Sequence, residues 1–348
     1  MKIFHTADWH LGAQNQPSEY KELALPKLCE EARVRGINTV LVAGDVFDKP
    51  SPNQVTKDYL LSILTGYPDI NFIFTLGNHD YADKTKSYHS LNTYALLGPF
   101  LHNVRVCYEG CSCFDNFNII VLPDNVLKYD VPVVKNGRKN IIVWHGVLPG
   151  SVVERMDFSG CSKFAAEVME HFDAAYFALG DIHRPVKILD KCWYPGALTQ
   201  KTYGCVRGLR EVDTETGESK EVELNLPSRV SISIKGAVDE DTLIHRIRKK
   251  VVEGSLLKVK FNLPLSAWSS VNKKKIKEEL IGSYKEVILC NDPAPENTSK
   301  RKNIDKFSSA RTIREELRII VDTNDYQNKV EVLSSCTGYF KGEKKNGL

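Results

Sequence analysis

Along the first half of this chain, short apolar runs repeatedly give way to polar clusters. Ile3-Phe4, Val40-Leu41-Val42, Phe72-Ile73-Phe74, Ile141-Ile142-Val143 and Ala175-Tyr176-Phe177-Ala178-Leu179 are continuous rather than alternating. That is the pattern of strands buried on both faces. Helix-like stretches separate the first three: Glu19 to Arg33, with Ser18 as a candidate N-cap, and Asn53 to Leu64. Strand, helix, strand, helix, strand over residues 1–80 predicts a parallel sheet with right-handed crossovers. The polar clusters then fall at the carboxyl ends of the strands, where open α/β sheets gather ligands.

Residues 103–123 and 186–225 read differently. Short strands such as Asn118-Ile119-Ile120-Val121 and Cys192-Trp193-Tyr194 alternate with turn residues, and Asp213 to Glu218 is a hairpin turn. These segments are expected to complete a second sheet packed on the first. From residue 228 the pattern restarts as βαβαβ: strand Arg229–Lys235, helix Asp239–Val252, strand Leu256–Phe261, helix Ser269–Ile281, strand Glu286–Leu289. Asn291 to Asp305 is polar, carries Pro293 and Pro295, and reads as a linker. Beyond it, Ala310, Ile313, Leu317, Ile320 and Val321 share one helical face, and Tyr326, Val330 and Leu333 form a second stripe. Two short amphipathic helices need their own domain or a partner to cover them. The expected divisions are 1–226, 227–290, 291–306 and 307–348.

Composition narrows the class. Hydrophobic residues make up 42% of the 348, enough for a full core. No apolar run approaches the roughly 18 residues of a membrane span. The opening residues enter a strand at once, without the charged and apolar regions of a secretory signal. Nine scattered cysteines read as reduced in a cytosolic protein. Cys111 and Cys113, with Cys107 nearby, lack the second pair of a zinc knuckle. The net charge of +3 is uneven, with +8 on residues 226–348 and −5 on residues 1–225. The basic third is a candidate for phosphate-backbone contact, or simply a solvated basic surface.

Candidate chemistry lies in five clusters: Asp8-Trp9-His10, Gly44-Asp45-Val46-Phe47-Asp48, Gly77-Asn78-His79-Asp80, Trp144-His145-Gly146 and Gly180-Asp181-Ile182-His183. Mixed Asp, His and Asn donors suit Mn, Fe or Zn, and there are enough for two ions. Two-metal sites are the usual device for breaking phosphate esters.

In order and spelling, the clusters resemble the DxH, GDxxD, GNH(D/E), H and GxxH series of the calcineurin-like metallophosphoesterases. Tyr194-Pro195-Gly196-Ala197-Leu198 is similar to the YPGS segment of SbcD-type nuclease subunits. The Cys-containing loops and the Gly-Asp-Ile-His spelling resemble bacteriophage-encoded members most. The resemblance implies a four-layer α/β/β/α sandwich, a small βαβαβ capping domain and a C-terminal helical tail. It implies one metal held by Asp8, His10, Asp45 and His183, and another by Asp45, Asn78, His145 and Asp181. The ions would be Mn2+, with Mg2+ as the alternative. It makes His79 a non-ligand that assists the leaving group, and Asp48 and Asp80 carboxylates that orient a histidine or cap a helix. Family members usually carry histidine where Asp181 stands, which bears on metal preference.

The implied function is DNA exonuclease and endonuclease activity on double and single strands. The chain would be a homodimer within a heterotetramer with an SbcC-type ATPase, acting in recombination and repair in the cytoplasm, of a host cell if phage-encoded. The tail would dock on that ATPase. Rival readings are a phosphodiesterase or phosphatase of another substrate class, and a DNA-positioning subunit with a weak site. His5, His89, His102, His171 and His245 match no motif and read as structural. Trp9 and Trp144 read as core or site wall, and Tyr194 as either sheet packing or a DNA neighbour.

Overall fold

The computed structural model describes residues 1–13, 18–82, 88–123, 131–152, 155–200, 206–236 and 239–292. The expected tail at 307–348, and the linker beyond Asp292, lie outside the described residues.

Chain order begins β1 (Lys2–Thr6), α1 (Ser18–Val34), β2 (Thr39–Ala43), α2 (Gln54–Gly66), β3 (Asn71–Thr75), α3 (Asn92–Leu101), β4 (Val104–Val106). It continues β5 (Gly110–Cys113), β6 (Phe117–Val121), β7 (Lys139–His145), α4 (Cys161–His171), β8 (Ala174–Gly180), β9 (Val186–Leu189), β10 (Cys192–Tyr194), β11 (Arg210–Asp213) and β12 (Ser219–Glu221). The first sheet runs β12-β11-β1-β2-β3-β4 and the second β5-β6-β7-β8-β10-β9. The strands that carry the clusters are parallel to their neighbours: β1 to β2, β2 to β3, and β7 to β8.

Three apolar clusters fill the spaces between four layers. Leu25, Leu28, Leu60 and Leu64 of α1 and α2 pack with Phe4, Val42, Phe72 and Phe74 of the first sheet. Ile3, Leu41 and Ile73 meet Ile119, Ile141, Tyr176 and Ala178 between the sheets. Ala165 and Val168 of α4 pack with Ile142, Phe177 and Leu179 on the far side. Burial on both faces explains why these strands read as unbroken apolar runs. Among the described residues, no helix is long and apolar enough to cross a membrane.

The expectation for the turn-rich segments needs correction. β4, β11 and β12 join the first sheet rather than the second. β11 runs antiparallel to β1, with Val212 opposite Ile3, and both are fully buried between the sheets. Alternation and turn residues specify a strand but not its partner, which here lies some 200 residues away.

The remaining elements are β13 (Arg229–Lys235), α5 (Glu240–Lys250), β14 (Leu256–Asn262), α6 (Leu265–Ser270), α7 (Lys273–Ile281) and β15 (Glu286–Asn291), with a sheet in the order β13-β14-β15. The single helix expected over Ser269–Ile281 is two. Asn272 accepts from the Lys275 amide at 3.0 Å and starts α7 afresh, a cap that outcompetes continuation. Contacts divide the chain into two units. Among the described residues, the larger takes those of Met1–Ser233, Val238–Lys260 and Asn272–Cys290, and the smaller those of Ile234–Ala237 and Phe261–Val271 with Asn291 and Asp292. Within the smaller, the Phe261 and Trp268 rings lie 5.1 Å apart.

His5 sits fully buried between the two large sheets. Its Nε2 lies 3.2 Å from the Leu179 carbonyl and its Nδ1 3.1 Å from the Tyr176 hydroxyl. A carbonyl only accepts, so Nε2 carries the hydrogen and Nδ1 accepts from the tyrosine. Burial, with the Arg210 charge adding to it, pushes the imidazole pKa down to about 3. The folded state therefore refuses a proton that the unfolded chain takes below about pH 6.5. The stability of neutral His5 is complete above that pH and is lost as the pH falls towards 3. In urea unfolding of ion-free protein, wild type should lose about 2 kcal/mol more than His5→Gln between pH 6.5 and 4.5. Parallel losses would show that His5 is not the group responsible.

Candidate metal centre

Five strand ends from both sheets meet at one edge of the sandwich. Asp8 and His10 follow β1, Asp45 and Asp48 follow β2, and Asn78, His79 and Asp80 follow β3. His145 ends β7, and Asp181 and His183 follow β8. The turns are held by backbone bonds: Asp8 N–H to Gly44 O, His10 N–H to Asp45 O, and Leu11 N–H to Val46 O, at 2.9–3.1 Å. Turning so sharply puts Asp8, His10, Asp45 and Asp181 in left-handed backbone, with φ of 54°, 45°, 53° and 93°. Asp and His tolerate this region better than branched residues do, and such strain gathers at functional sites.

The side chains converge. Asp45 Oδ2 lies 3.4 Å from both His10 Nε2 and His145 Nε2. Asp8 Oδ1 lies 3.9 Å from His10 Nε2, 3.8 Å from His183 Nε2 and 4.0 Å from His145 Nε2. Asp181 Oδ1 is 4.0 Å from His145 Nε2, and the Asp181 amide donates to both Asp8 oxygens at 3.2 Å. Asn78 Oδ1 stands 3.0 Å from His145 Nε2. Asp8, His10 and Asp45 are buried, whereas Asn78 and His79 are exposed, so the cluster opens to solvent on the β3 side.

Donor chemistry tests whether an ion fits. His145 Nδ1 is 2.8 Å from the Ala43 carbonyl, so it carries the hydrogen and leaves the Nε2 lone pair facing Asp45 and Asn78. A lone pair facing an amide oxygen calls for a cation between or beside them. The Nε2 atoms of His10 and His183 are 3.1 Å apart. Two nitrogen ligands about 2.1 Å from one ion at a right angle lie about 3 Å apart. The residues therefore fit divalent ions.

Without an ion, protons answer the same demand. Burial works against a charged His145, but its bond to Asp45 and the charges of Asp45 and Asp8 outweigh it and raise the imidazole to about 10. Burial likewise opposes a charged Asp45, yet the same bond and the His145 and His10 charges hold it down at about 2. Asp8 is raised to about 7, by burial first and then by Asp45 and Asp181, with His145 opposing.

The flanking carboxylates differ from each other. Asp48 does meet a histidine, with Oδ1 3.4 Å from His10 Nδ1, and its carbonyl accepts from His79 Nδ1 at 3.0 Å. Among the described residues, Asp80 neither orients a histidine nor caps a helix. It accepts from the amides of Gly77, Val46 and Phe47 and from the Ser90 hydroxyl at 2.6 Å, so it braces two cluster loops against each other. Tyr194 packs rather than facing a ligand. It is fully buried, accepts from Leu148 N–H and donates to Gly146 O, both at 2.9 Å. Trp9 and Trp144 are buried in the outer cores. None of the five other histidines joins the cluster among the described residues.

Sequence reasoning missed the glycines. A Cβ on Gly77 would lie 2.2 Å from Asp45 Oδ1 and 2.8 Å from His145 Nε2, and one on Gly180 only 2.0 Å from Ala43 O. Both residues make room for ligand-type side chains, and the signal was their place before the polar residues of each cluster.

A calcineurin-like phosphoesterase family model matches residues 1–194. The D subunit of the SbcCD nuclease from Staphylococcus saprophyticus is 36% identical over 238 residues, 58% of this chain and 62% of that one. Its counterpart from Bacillus subtilis is 28% identical over 234 residues, 54% of this chain and 58% of that one. For that of Rhodobacter capsulatus the figures are 35% over 95 residues, 25% and 23%. The chain thus spans less than two thirds of the length of these curated relatives. The crystal structure of TT1561 of Thermus thermophilus overlays 64% of this chain and 97% of its own, with a TM-score of 0.43 and 12% identity.

Proposed function

Because the chain belongs to the calcineurin-like phosphoesterase family, we propose that it is a metal-dependent DNA nuclease subunit. It hydrolyses phosphodiesters as an exonuclease with endonuclease activity, in the cytoplasm, together with an SbcC-type ATPase. The observation that carries the reading is Asp45 Oδ2, equidistant at 3.4 Å from the Nε2 atoms of two histidines on different sheets. A carboxylate in that position suits a bridge between two ions. Asp8, His10, Asp45 and His183 would hold one ion, and Asp45, Asn78, His145 and Asp181 the other. Bound divalent ions supply Lewis acidity and positive charge to the phosphoryl group. Imidazoles mixed with carboxylates favour Mn2+ over Mg2+.

The chain's own groups do the rest. Ala43 O and Asp48 O fix the hydrogens of His145 and His79 on Nδ1. His79 is thereby set with Nε2 outward at the open side, where in its protonated form it delivers a proton to the leaving oxygen. Asp48 steadies His10 from behind, and Asp80 keeps the loops after β2 and β3 in register. A homodimer is supported by Leu96 and Phe100, one turn apart on α3 and 76% and 78% exposed. Docking on the ATPase falls to the 307–348 segment.

The test is hydrolysis of linear duplex DNA with Mn2+ or Mg2+, with and without the ATPase, beside cyclic nucleotides. Mn2+-dependent DNA cleavage is expected. Turnover of cyclic nucleotides with no DNA cleavage would overturn the reading. Asp181→His should give a folded protein whose preference among Mn2+, Mg2+ and Co2+ is altered, because imidazole replaces a charged oxygen donor. An identical activity profile across the three metals would place Asp181 outside the ligand set.

A further inference from the structure

Cations on the larger unit are commonly spent on neighbours. Lys2, Arg35 and Lys220 close on Glu211, and Arg33 closes on Asp69. Lys27, Lys163 and Lys187 pair with an acid three or four residues along. Not all are: Arg138 and Lys191 have no side-chain ion pair among the described residues, and neither do Lys49 and Arg184. The latter two are exposed, and neither side chain has an ion pair or hydrogen bond among the described residues. Yet each adjoins the carboxylate cluster along the chain. Lys49 follows Asp48, which holds His10 and His79. Arg184 follows His183, whose Nε2 meets that of His10.

The anchor point of Arg184 is fixed. Gly196, at φ 88°, packs so closely on the Arg184–Pro185 link that a Cβ there would lie 2.9 Å from the Arg184 carbonyl carbon. Lys49 hangs from the loop after β2 in the first sheet and Arg184 from the loop after β8 in the second. The two cations therefore hang from loops that carry cluster residues, one on each sheet. Neither has closed on a carboxylate among the described residues, so both stay available to an anion arriving from solvent.

We propose that Lys49 and Arg184 hold the phosphates on either side of the scissile one, so that the site selects a polynucleotide strand over an ester with a single phosphate. The inference rests on the nuclease reading above and names the positioning groups behind its substrate class. Arg184 offers a two-pronged donor to a phosphate and Lys49 a point charge. Neither touches the reacting atoms.

The experiment compares full-length wild type, Lys49→Ala, Arg184→Ala and Arg184→Lys with saturating Mn2+ over a series of salt concentrations. The substrates are an oligonucleotide and thymidine 5′-(p-nitrophenyl) phosphate, which has one phosphate. Each alanine variant should raise KM for the oligonucleotide about tenfold, with a clearly smaller rise for the small ester. The salt dependence of log(kcat/KM) on the oligonucleotide should become shallower by about 0.7–0.9 per cation removed, and Arg184→Lys should restore it. Equal losses on both substrates with an unchanged salt slope would overturn the inference while leaving the nuclease reading intact. A wild-type protein that hydrolyses the small ester but no oligonucleotide would defeat both.

Discussion

Asp45→Ala is expected to leave a folded protein with no measurable phosphodiester hydrolysis in Mn2+, Mg2+ or Co2+, below about 10⁻³ of wild type. Asp45 Oδ2 is placed 3.4 Å from both His10 and His145, and Oδ1 accepts from the His79 amide at 2.9 Å. One substitution therefore removes the proposed bridge and loosens the loop that carries His79. The fold should survive, because His145 loses its reason to be protonated and returns to the neutral form, leaving no buried unpaired charge. DNA binding should persist, since phosphate contacts elsewhere position a duplex. Circular dichroism, anisotropy with labelled duplex and a cleavage time course read the three properties separately. Near-normal cleavage by the folded variant would reject the proposed centre.

His79→Gln carries the second largest effect, a fall in kcat of roughly 10²–10⁴, the scale for losing a general acid. Glutamine can still donate to Asp48 O, so the loop keeps its anchor while the proposed proton donor disappears. Bound metal should be unchanged, because the lone pairs that converge on Asp45 belong to His10 and His145. Metal analysis of the purified variant is the discriminating measurement. An ion missing in His79→Gln would make His79 a ligand. The geometry gives that alternative a definite form, since His79, His10 and Asp48 present donor atoms within 4.8 Å of one another.

Much of this site could be read in the sequence because its donors follow buried strands, and both signals are local. A continuous apolar run announces the strand, and the cluster after it announces the edge. What could not be read depends on partners distant in the chain. Nothing near Val212 says that it will lie opposite Ile3. Asp80 reads as a partner of histidine or as a helix cap, yet three of its four bonds go to backbone amides, which no residue type advertises. Gly77 and Gly180 are defined by a space that must stay empty, and absence of a side chain has no pattern of its own. α3 is hidden because Gly98 and Pro99 interrupt it, and the break at Asn272 because a cap signal lies inside an otherwise helical pattern.

The proposed donors come from two sheets, with Asp8, His10, Asp45 and Asn78 on one and His145, Asp181 and His183 on the other. Each of the two proposed ligand sets draws on both halves of the sandwich, so ligand geometry is a register of how the halves are docked. An ion held across that seam acts as a clasp. By mass action its binding is added to the cohesion of the interface, and a fragment ending before β7 would lack His145, Asp181 and His183. Wherever the seam is loosened, by chelator or by a cavity beneath Ile119 or Tyr176, affinity for metal should weaken in step with stability. The enzyme would then lose its activity before it loses its shape.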